Sequence, residues 1–187
     1  AGLVRIAVAG VGADRTLTLS MPPAKIRTLS DDEVVELEII LGSAVTREEA
    51  PAIIDVGAVW VVARLENAEA VLGLKPDFAH SAAFERRLGA TGLTVFGDHD
   101  TGDADIEVRS FAPSCGVEED PVCGSGNGSV GFFRADRETA AKSGISYNAS
   151  QGRKVGRDGR VVVKIDAEGN VSVGGMCVTC AEGRLLD

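Results

Sequence analysis

The chain has 187 residues, 44% of them apolar and 25% charged, so it can build one large core or two small lobes. Its formal net charge of −9 argues against nucleic acid or an anionic membrane as a general partner. No apolar run approaches the ~20 residues of a membrane span and no signal peptide is visible, so we expect a cytoplasmic protein.

The first third of the chain predicts strands around one short helix. Leu3–Ala9 and Arg15–Met21 alternate apolar and polar residues and predict a hairpin. Ser30 and Glu33 have capping-box spacing, which predicts a helix that ends near Gly42. Enrichment in β-branched residues predicts two buried strands, Ile53–Val56 and Ala58–Leu65.

The rest of the chain predicts a mixture of both element types. The predicted helices are Ala68–Leu72, Asp77–Leu88 and Ser125–Ala141. The predicted strands are Leu93–Phe96, Asp105–Phe111, Ser146–Gln151, Val161–Ile165, Val171–Val173 and one near Val178, with Asp158-Gly159 as a hairpin turn. Many strands, few helices and no strict βαβ alternation indicate an α+β fold with a largely antiparallel or mixed sheet.

The last of these helices has an unusual composition. Gly126, Gly128 and Gly131 lie in its first two turns, where each glycine costs ~1 kcal/mol relative to alanine. Apolar residues then cover more than one of its faces, as expected for a helix buried within a sheet. The glycines are best explained by close approach of the backbone to strands or to a ligand. We therefore expect a buried helix whose N-terminus faces a pocket.

The segment before this helix, Glu119–Gly128, reads Glu-Asp-Pro-Val-Cys-Gly-Ser-Gly-Asn-Gly and predicts a loop that binds a small anion. The first amides of a helix have no partners within the helix, and its dipole adds partial positive charge there. Glycines let a carboxylate or phosphate approach those amides, and Ser125 can add a hydroxyl contact. The alternative is an ordinary helix cap whose glycines serve packing.

Two further side chains of the loop are candidates for chemistry. Asp120 precedes Pro121, so its backbone is extended and its carboxylate can contact a substrate or transfer a proton. The alternative for Asp120 is an Asx-type turn. Cys123 lies just before the helix, where a thiolate is stabilised and its pKa falls, so it is a candidate for proton transfer. The alternative for Cys123 is a small buried residue.

Two segments resemble the signature of the PhzF-like family of phenazine-biosynthesis isomerases. They are Arg109-Ser-Phe-Ala-Pro and Gly116-Val-Glu-Glu-Asp-Pro-Val-Cys-Gly-Ser-Gly-Asn-Gly. Further matches are Gln151-Gly152, Gly156-Arg157 and Val171-Ser-Val-Gly-Gly175. The resemblance covers nearly the whole chain, which is similar to the C-terminal two-thirds of family members.

The resemblance implies a diaminopimelate-epimerase-like fold, in which two lobes each wrap a mixed β-barrel around a central helix and the active site lies between them. Residues 1–25 then correspond to strands left over from the first lobe. Residues 26–173 correspond to the second barrel lobe with Ser125–Ala141 as its central helix, and residues 174–187 return to the first lobe. The hairpin and the C-terminal tail should expose apolar edges in a chain that stands alone.

The resemblance also implies an isomerase that moves a proton between carbons of a small carboxylate-bearing substrate, with no metal or organic cofactor. Asp120 and Ser125 match its catalytic positions. The substrate contacts are expected at Cys123, Gly124, Ser125 and Gly126. The family's acid/base glutamate and active-site histidine belong to the first lobe, so we expect a partner in the chain's own N-terminal segment, possibly a separate chain, or else a homodimer.

Two alternatives remain open. Many family members carry threonine where this chain has Cys123, whereas diaminopimelate epimerases and proline racemases carry a proton-shuttling cysteine at the comparable loop. The chain could therefore be a cysteine-dependent amino-acid epimerase or racemase, or a non-catalytic module that binds small carboxylates. Arg109 has the charge to bind an anion, and the alternative is that it pairs with acidic residues of the loop. Trp60 is expected to lie in the core.

Overall fold

The computed structural model of the protein describes residues 4–137 and 144–184. Within these ranges, eleven strands form one sheet. The strands are β1 (Ile6–Ala9), β2 (Thr16–Ser20), β3 (Lys25–Thr28), β4 (Ala52–Asp55), β5 (Val59–Arg64), β6 (Gly92–Asp98), β7 (Ile106–Ala112), β8 (Val117–Asp120), β9 (Ile145–Gln151), β10 (Gly159–Ile165) and β11 (Val171–Met176). They are ordered β1-β2-β11-β10-β9-β7-β6-β5-β4-β3, with β8 paired to β7. The β5–β6 and β7–β9 pairs are parallel and the others are antiparallel, so the sheet is mixed.

The helices begin where side chains cap them. They are α1 (Asp31–Leu41), α2 (Ala68–Gly73), α3 (Phe78–Leu88) and α4 (Gly124–Arg137). Ser30 and Glu33 form the predicted capping box of α1, and Gly42 ends that helix in the left-handed conformation. Asn67 and Asp77 cap α2 and α3 with side-chain oxygens.

In the described residues, none of the helices is long and apolar enough to cross a membrane.

The two faces of the sheet carry separate apolar clusters. On one face, Val130, Phe132 and Phe133 of α4 pack against side chains of the surrounding strands. On the other face, α1, α2 and α3 cover a second cluster. The helix α4 contacts β4, β5 and β6 as well as β10 and β11, although these two groups of strands lie far apart in the sheet. The sheet therefore curves around α4, which confirms the predicted α+β fold with a mixed sheet around a central helix.

The glycines of α4 allow this enclosure. A Cβ atom on Gly131 would lie 2.7 Å from Cγ1 of Val171, and one on Gly128 would lie 2.3 Å from Cε of Met21. Both distances are too short for a side chain, so α4 approaches β11 and the end of β2 through its backbone. The predicted close approach of this helix to strands is confirmed.

Most predicted elements are present with shifted ends. The predicted end of α4 near Ala141 and the predicted start of the hairpin at Leu3 lie outside the described residues. Two short strands, β3 and β8, were not predicted. Asp158-Gly159 is not the hairpin turn, because Gly159 already pairs with Gln151 in the β9–β10 hairpin. The connection is longer, and Gly152 and Gly156 carry it with positive φ angles of 96° and 70°.

The predicted strand near Val178 is wrong, since residues 177–184 form neither helix nor strand. The strand β11 ends at Met176, which pairs with the first residue of β2, Thr16. The Cys177 amide still donates to the Arg15 carbonyl at 2.9 Å, but the Arg15 amide donates to Gly12 in the turn before β2, so the pairing stops there.

Apolar side chains are exposed at the β1 edge and in the C-terminal tail. Ile6 and Val8 of β1 are 58% and 62% exposed, and Met176 and Val178 are 75% and 73% exposed. The expectation of exposed apolar edges is therefore confirmed. Such an edge offers unpaired backbone groups to another strand.

Candidate active site

An open cleft of about 780 Å³ lies at the N-terminus of α4. It is lined by Val4, Arg5, Leu19, Ser20, Met21, Pro22, Pro23, Lys25, Asp55, Val56, Gly57, Gly124 and Ser125. The lining includes two cationic side chains, Arg5 and Lys25, and one carboxylate, that of Asp55. The Oδ1 atom of Asp55 accepts the Gly57 amide at 2.8 Å. The helix dipole adds positive potential at the same place, so the cleft is suited to a small anion.

Cys123 caps the N-terminus of α4. Its carbonyl accepts the Asn127 amide at 3.0 Å, and its Sγ accepts the Gly126 amide at 3.3 Å. The amides of Gly124 and Ser125 have no hydrogen-bond partner among the described residues. Since Gly124 and Ser125 line the cleft, these two amides are the donors that the helix start leaves for a ligand.

The hydroxyl of Ser125 is held by a residue distant in sequence. Trp60, on β5, is 3% exposed, and its Nε1 donates to Ser125 Oγ at 3.0 Å. The Sγ of Cys123 lies 3.6 Å from the same oxygen. A buried indole thus joins the sheet to the first turn of α4.

Gln151, at the end of β9, fixes the loop that precedes the helix. Its Oε1 accepts the Cys123 amide at 3.1 Å and Nδ2 of Asn127 at 2.8 Å. Its Nε2 donates to the carbonyl of Asp120 at 2.9 Å. Gln151 and Asn127 are both fully buried. The backbone from Asp120 to Cys123 is therefore tied to the sheet by one side chain.

Asp120 ends β8 and is half-buried. Its Oδ1 accepts the Val122 amide at 3.0 Å, which is the Asx-type turn that the sequence offered as an alternative. Among the described residues, its Oδ2 has no hydrogen-bond partner. Asp120 is not among the residues that line the cleft, and it lies close enough to Cys123 for its negative charge to raise the pKa of that thiol.

The family described as phenazine biosynthesis-like protein (PhzC-PhzF) matches residues 1–183. The chain belongs to this family. An uncharacterized isomerase of Schizosaccharomyces pombe is 34% identical over 174 residues, which cover 87% of this chain and 92% of that protein. Antisense-enhancing sequence 1 of the same organism is 35% identical over 192 residues, which cover 98% of this chain and 64% of that protein.

Solved structures show the same fold. A PhzF-family phenazine biosynthesis protein from Bacillus anthracis superposes with a TM-score of 0.80 at 18% identity, covering 100% of this chain and 66% of that one. A predicted epimerase from Pseudomonas aeruginosa superposes with a TM-score of 0.75 at 21% identity, covering 98% and 63%. The chain thus spans about two-thirds of these structures and of Antisense-enhancing sequence 1.

The thiol in this PhzF-family loop differs from its prediction. Burial raises the pKa of Cys123, and the charge of Asp120 raises it further, although the contact with Ser125 and the hydrogen bond from the Gly126 amide oppose the shift. The predicted fall in the pKa is therefore wrong. Cys123 is 5% exposed and its sulfur already caps the helix, so desolvation outweighs the effect of the helix N-terminus.

Gly126 faces the sheet and not the cleft. Its amide is bound by Cys123 Sγ, and a Cβ atom there would lie 2.7 Å from Ser110 Oγ. Gly124 and Ser125 thus line the cleft, whereas Cys123, Gly126 and Asp120 are not among its lining residues.

Arg109 pairs with the loop acid Glu119, which was the alternative to binding an anion. Its Nε and Nη2 donate to the two carboxylate oxygens at 3.0 and 2.7 Å, and its Nη1 donates to the carbonyls of Val71 and Leu74. Both side chains of the ion pair are nearly buried, at 6% and 7% exposure. Arg109 therefore holds β8 and α2 together with four of its five N–H donors.

Sequence reasoning missed two residues of this site. Trp60 was assigned to the core alone, and Gln151 was noted only as part of the family resemblance. The one available signal for Trp60 is that a buried indole needs an acceptor for its N–H. Nothing in the sequence identifies Ser125, 65 positions away, as that acceptor.

Proposed function

We propose that this chain forms one wall of the active site of an isomerase that transfers a proton on a small carboxylate-bearing substrate. The observation that carries the proposal is the start of α4, where the amides of Gly124 and Ser125 and the Ser125 hydroxyl meet in an open cleft. A substrate carboxylate seated there would accept hydrogen bonds from these groups and interact with the helix dipole.

The positive side chains of the cleft support the same substrate class. Among the described residues, neither Arg5 nor Lys25 forms an ion pair, so both remain available to an anion. Cations that line a cleft raise the local concentration of an oppositely charged substrate.

Asp120 is the proposed proton-transferring group, with Ser125 as a substrate contact. Since Asp120 does not line the cleft of this chain, its proposed role applies to the pocket that a further structural unit completes. The Asx turn occupies only one oxygen of Asp120, which leaves Oδ2 for a proton. The opposing acid/base group is proposed to come from a structural unit outside these 187 residues. The solved PhzF-family chain from Bacillus anthracis, of which this chain covers 66%, supports this arrangement. No metal or organic cofactor is required for such a transfer.

A test is solvent-deuterium incorporation into a dihydro-hydroxyanthranilate, followed by NMR. The chain would be assayed alone and together with the rest of its encoded polypeptide, with and without a metal chelator. We expect chelator-resistant incorporation that is lost in Asp120→Asn and reduced at least tenfold in Ser125→Ala. Asp158→Asn is the matched control, because Asp158 is an exposed aspartate whose side chain is 75% accessible.

Other outcomes favour the alternatives. Incorporation at the α-carbon of an amino acid that survives Asp120→Asn and is lost in Cys123→Ser would indicate a cysteine-dependent epimerase. Saturable carboxylate binding without incorporation, even with the complete polypeptide, would indicate a non-catalytic binding module. Either result would overturn the proposed isomerase.

A further inference from the structure

Trp60 is the only tryptophan of the chain, and its position is tightly fixed. It lies on β5 between Ile54 of β4 and Gly92 of β6, its neighbours in the sheet register. A Cβ atom on Gly92 would lie 2.7 Å from Cζ3 of the indole, so the ring fills the space that this glycine leaves. The indole therefore cannot shift without disturbing two neighbouring strands.

The hydrogen bond between Trp60 and Ser125 has a defined direction. An indole N–H only donates, so Ser125 Oγ must be the acceptor of the 3.0 Å bond. The remaining neighbour in the protein is the Cys123 sulfur at 3.6 Å. The same sulfur already accepts the Gly126 amide at 3.3 Å, and the thiol hydrogen can be donated to Ser125 Oγ. When the thiol donates, Ser125 Oγ accepts from both Trp60 and Cys123, and the serine proton is free to point away from them.

We infer that Trp60 is a positioning residue that fixes Ser125 as a hydrogen-bond donor toward the cleft. This inference rests on the proposed function and deepens it, because it sets the chemistry of the group that Ser125 recognises. A donor at this point selects an acceptor without a proton, such as a carboxylate oxygen, and rejects an ammonium group. The cleft thereby distinguishes the two ends of a zwitterionic substrate.

Binding of benzoate to the full chain, measured by calorimetry, tests the inference, with benzylamine as the cationic probe. Trp60→Phe keeps an aromatic ring but removes the N–H, and we expect about fivefold weaker benzoate binding, the value of one hydrogen bond. Ser125→Ala should weaken binding at least as much. The double variant should bind no more weakly than Ser125→Ala, because Trp60 acts through Ser125. If the losses in benzoate affinity of the two single variants multiply in the double variant, Trp60 has a general structural role and the inference is overturned.

A second measurement leaves Trp60 in place. The chain has one indole, so its N–H gives a single NMR resonance in the wild type. We expect this resonance to move upfield and to exchange faster with solvent in Ser125→Ala. Ser43→Ala, which removes the hydroxyl of a serine just after α1, is the matched control and should leave it unchanged. An unaltered resonance in Ser125→Ala would overturn the positioning role.

The two measurements distinguish a failure of the role inferred for Trp60 from a failure of the proposed carboxylate site. If benzoate does not bind the wild type but the indole resonance responds to Ser125→Ala, the hydrogen bond stands and the carboxylate site fails. If Ser125→Ala weakens benzoate binding and Trp60→Phe does not, the carboxylate site stands and the role of Trp60 fails.

Discussion

The side-chain oxygen of Gln151 accepts the backbone amide of Cys123 at 3.1 Å, and this bond joins the end of β9 to the start of α4. Helix caps are usually formed within a few residues of the helix. Here the residue that caps the helix, Cys123, is itself held by a side chain 28 positions away. The position of the candidate site is therefore set by the sheet, and substitutions in β9 should alter it.

Gln151→Leu keeps the approximate volume of the side chain but removes all of its hydrogen bonds. The Cys123 amide, Asn127 Nδ2 and the Asp120 carbonyl each lose their bond to Gln151. A buried polar group left unsatisfied costs ~1–3 kcal/mol, so we expect the free energy of unfolding to fall by at least ~2 kcal/mol. Urea denaturation measures this loss. Ser146→Ala, at an exposed position of β9, should change stability by less than ~0.5 kcal/mol.

Arg109→Leu should destabilise the protein more than Glu119→Gln. Removal of the guanidinium leaves the nearly buried Glu119 carboxylate unpaired and frees the carbonyls of Val71 and Leu74. Breaking a buried ion pair in this way costs ~3–5 kcal/mol. Glu119→Gln keeps Arg109 bonded to both carbonyls and can retain one side-chain bond. Equal losses for the two variants in urea denaturation would contradict this account of the contact.

The stability of alanine variants in α4 should depend on which atoms the new methyl group contacts. Gly131→Ala would press against Val171 and Val163, whose branched side chains cannot move away, and overpacking costs ~1–3 kcal/mol. The helix propensity gained offsets ~1 kcal/mol of that cost. Gly124→Ala meets no atom within 4 Å, so its stability should be unchanged or slightly higher. Thermal denaturation would contradict the ranking if Gly131→Ala proved the more stable variant.

The raised pKa of Cys123 predicts a loss of stability at high pH. Its pKa in the folded state lies above the unfolded value because burial disfavours the thiolate. The contribution is fully present below the ordinary thiol pKa of ~8.5 and is lost as the pH rises through the folded value. Cys123→Ala should therefore show a weaker decline of unfolding free energy above pH ~9 than the wild type.

Alkylation resolved by mass spectrometry provides a check on the same thiol. Cys123 should react with iodoacetamide much more slowly than the exposed Cys115 and Cys180. Comparable rates for the three thiols in the folded protein would contradict the burial of Cys123.

Local patterns in the sequence predicted the elements that local interactions determine. The capping box of Ser30 and Glu33 and the glycine at position 42 set the limits of α1 within the chain segment itself. The enclosed helix α4 was predictable because its glycines carry a cost that only close packing explains. The identity of Gly124 and Ser125 as cleft residues followed from the same segment together with the family resemblance.

What the sequence could not predict depends on contacts between distant segments. The direction of the pKa shift at Cys123 depends on how deeply the sheet buries the sulfur, whereas the local pattern shows only the helix that follows. The end of β11 at Met176 depends on where β2 begins. The residues around Val178 therefore contain no local pattern that would have excluded a strand there. The bond from Trp60 to Ser125 likewise exists only in the assembled fold.

The enclosure of α4 also has a consequence for the order in which the protein folds. Its glycines make the first turns of this helix unstable in isolation, and its apolar partners come from β4 to β6 and from β10 and β11. Bringing such distant segments together carries a large loop-closure entropy and slows folding. We therefore expect α4, and with it the candidate site, to become protected from hydrogen exchange later than the capped helices α1 and α3. A folding intermediate would then contain those outer helices but no binding site.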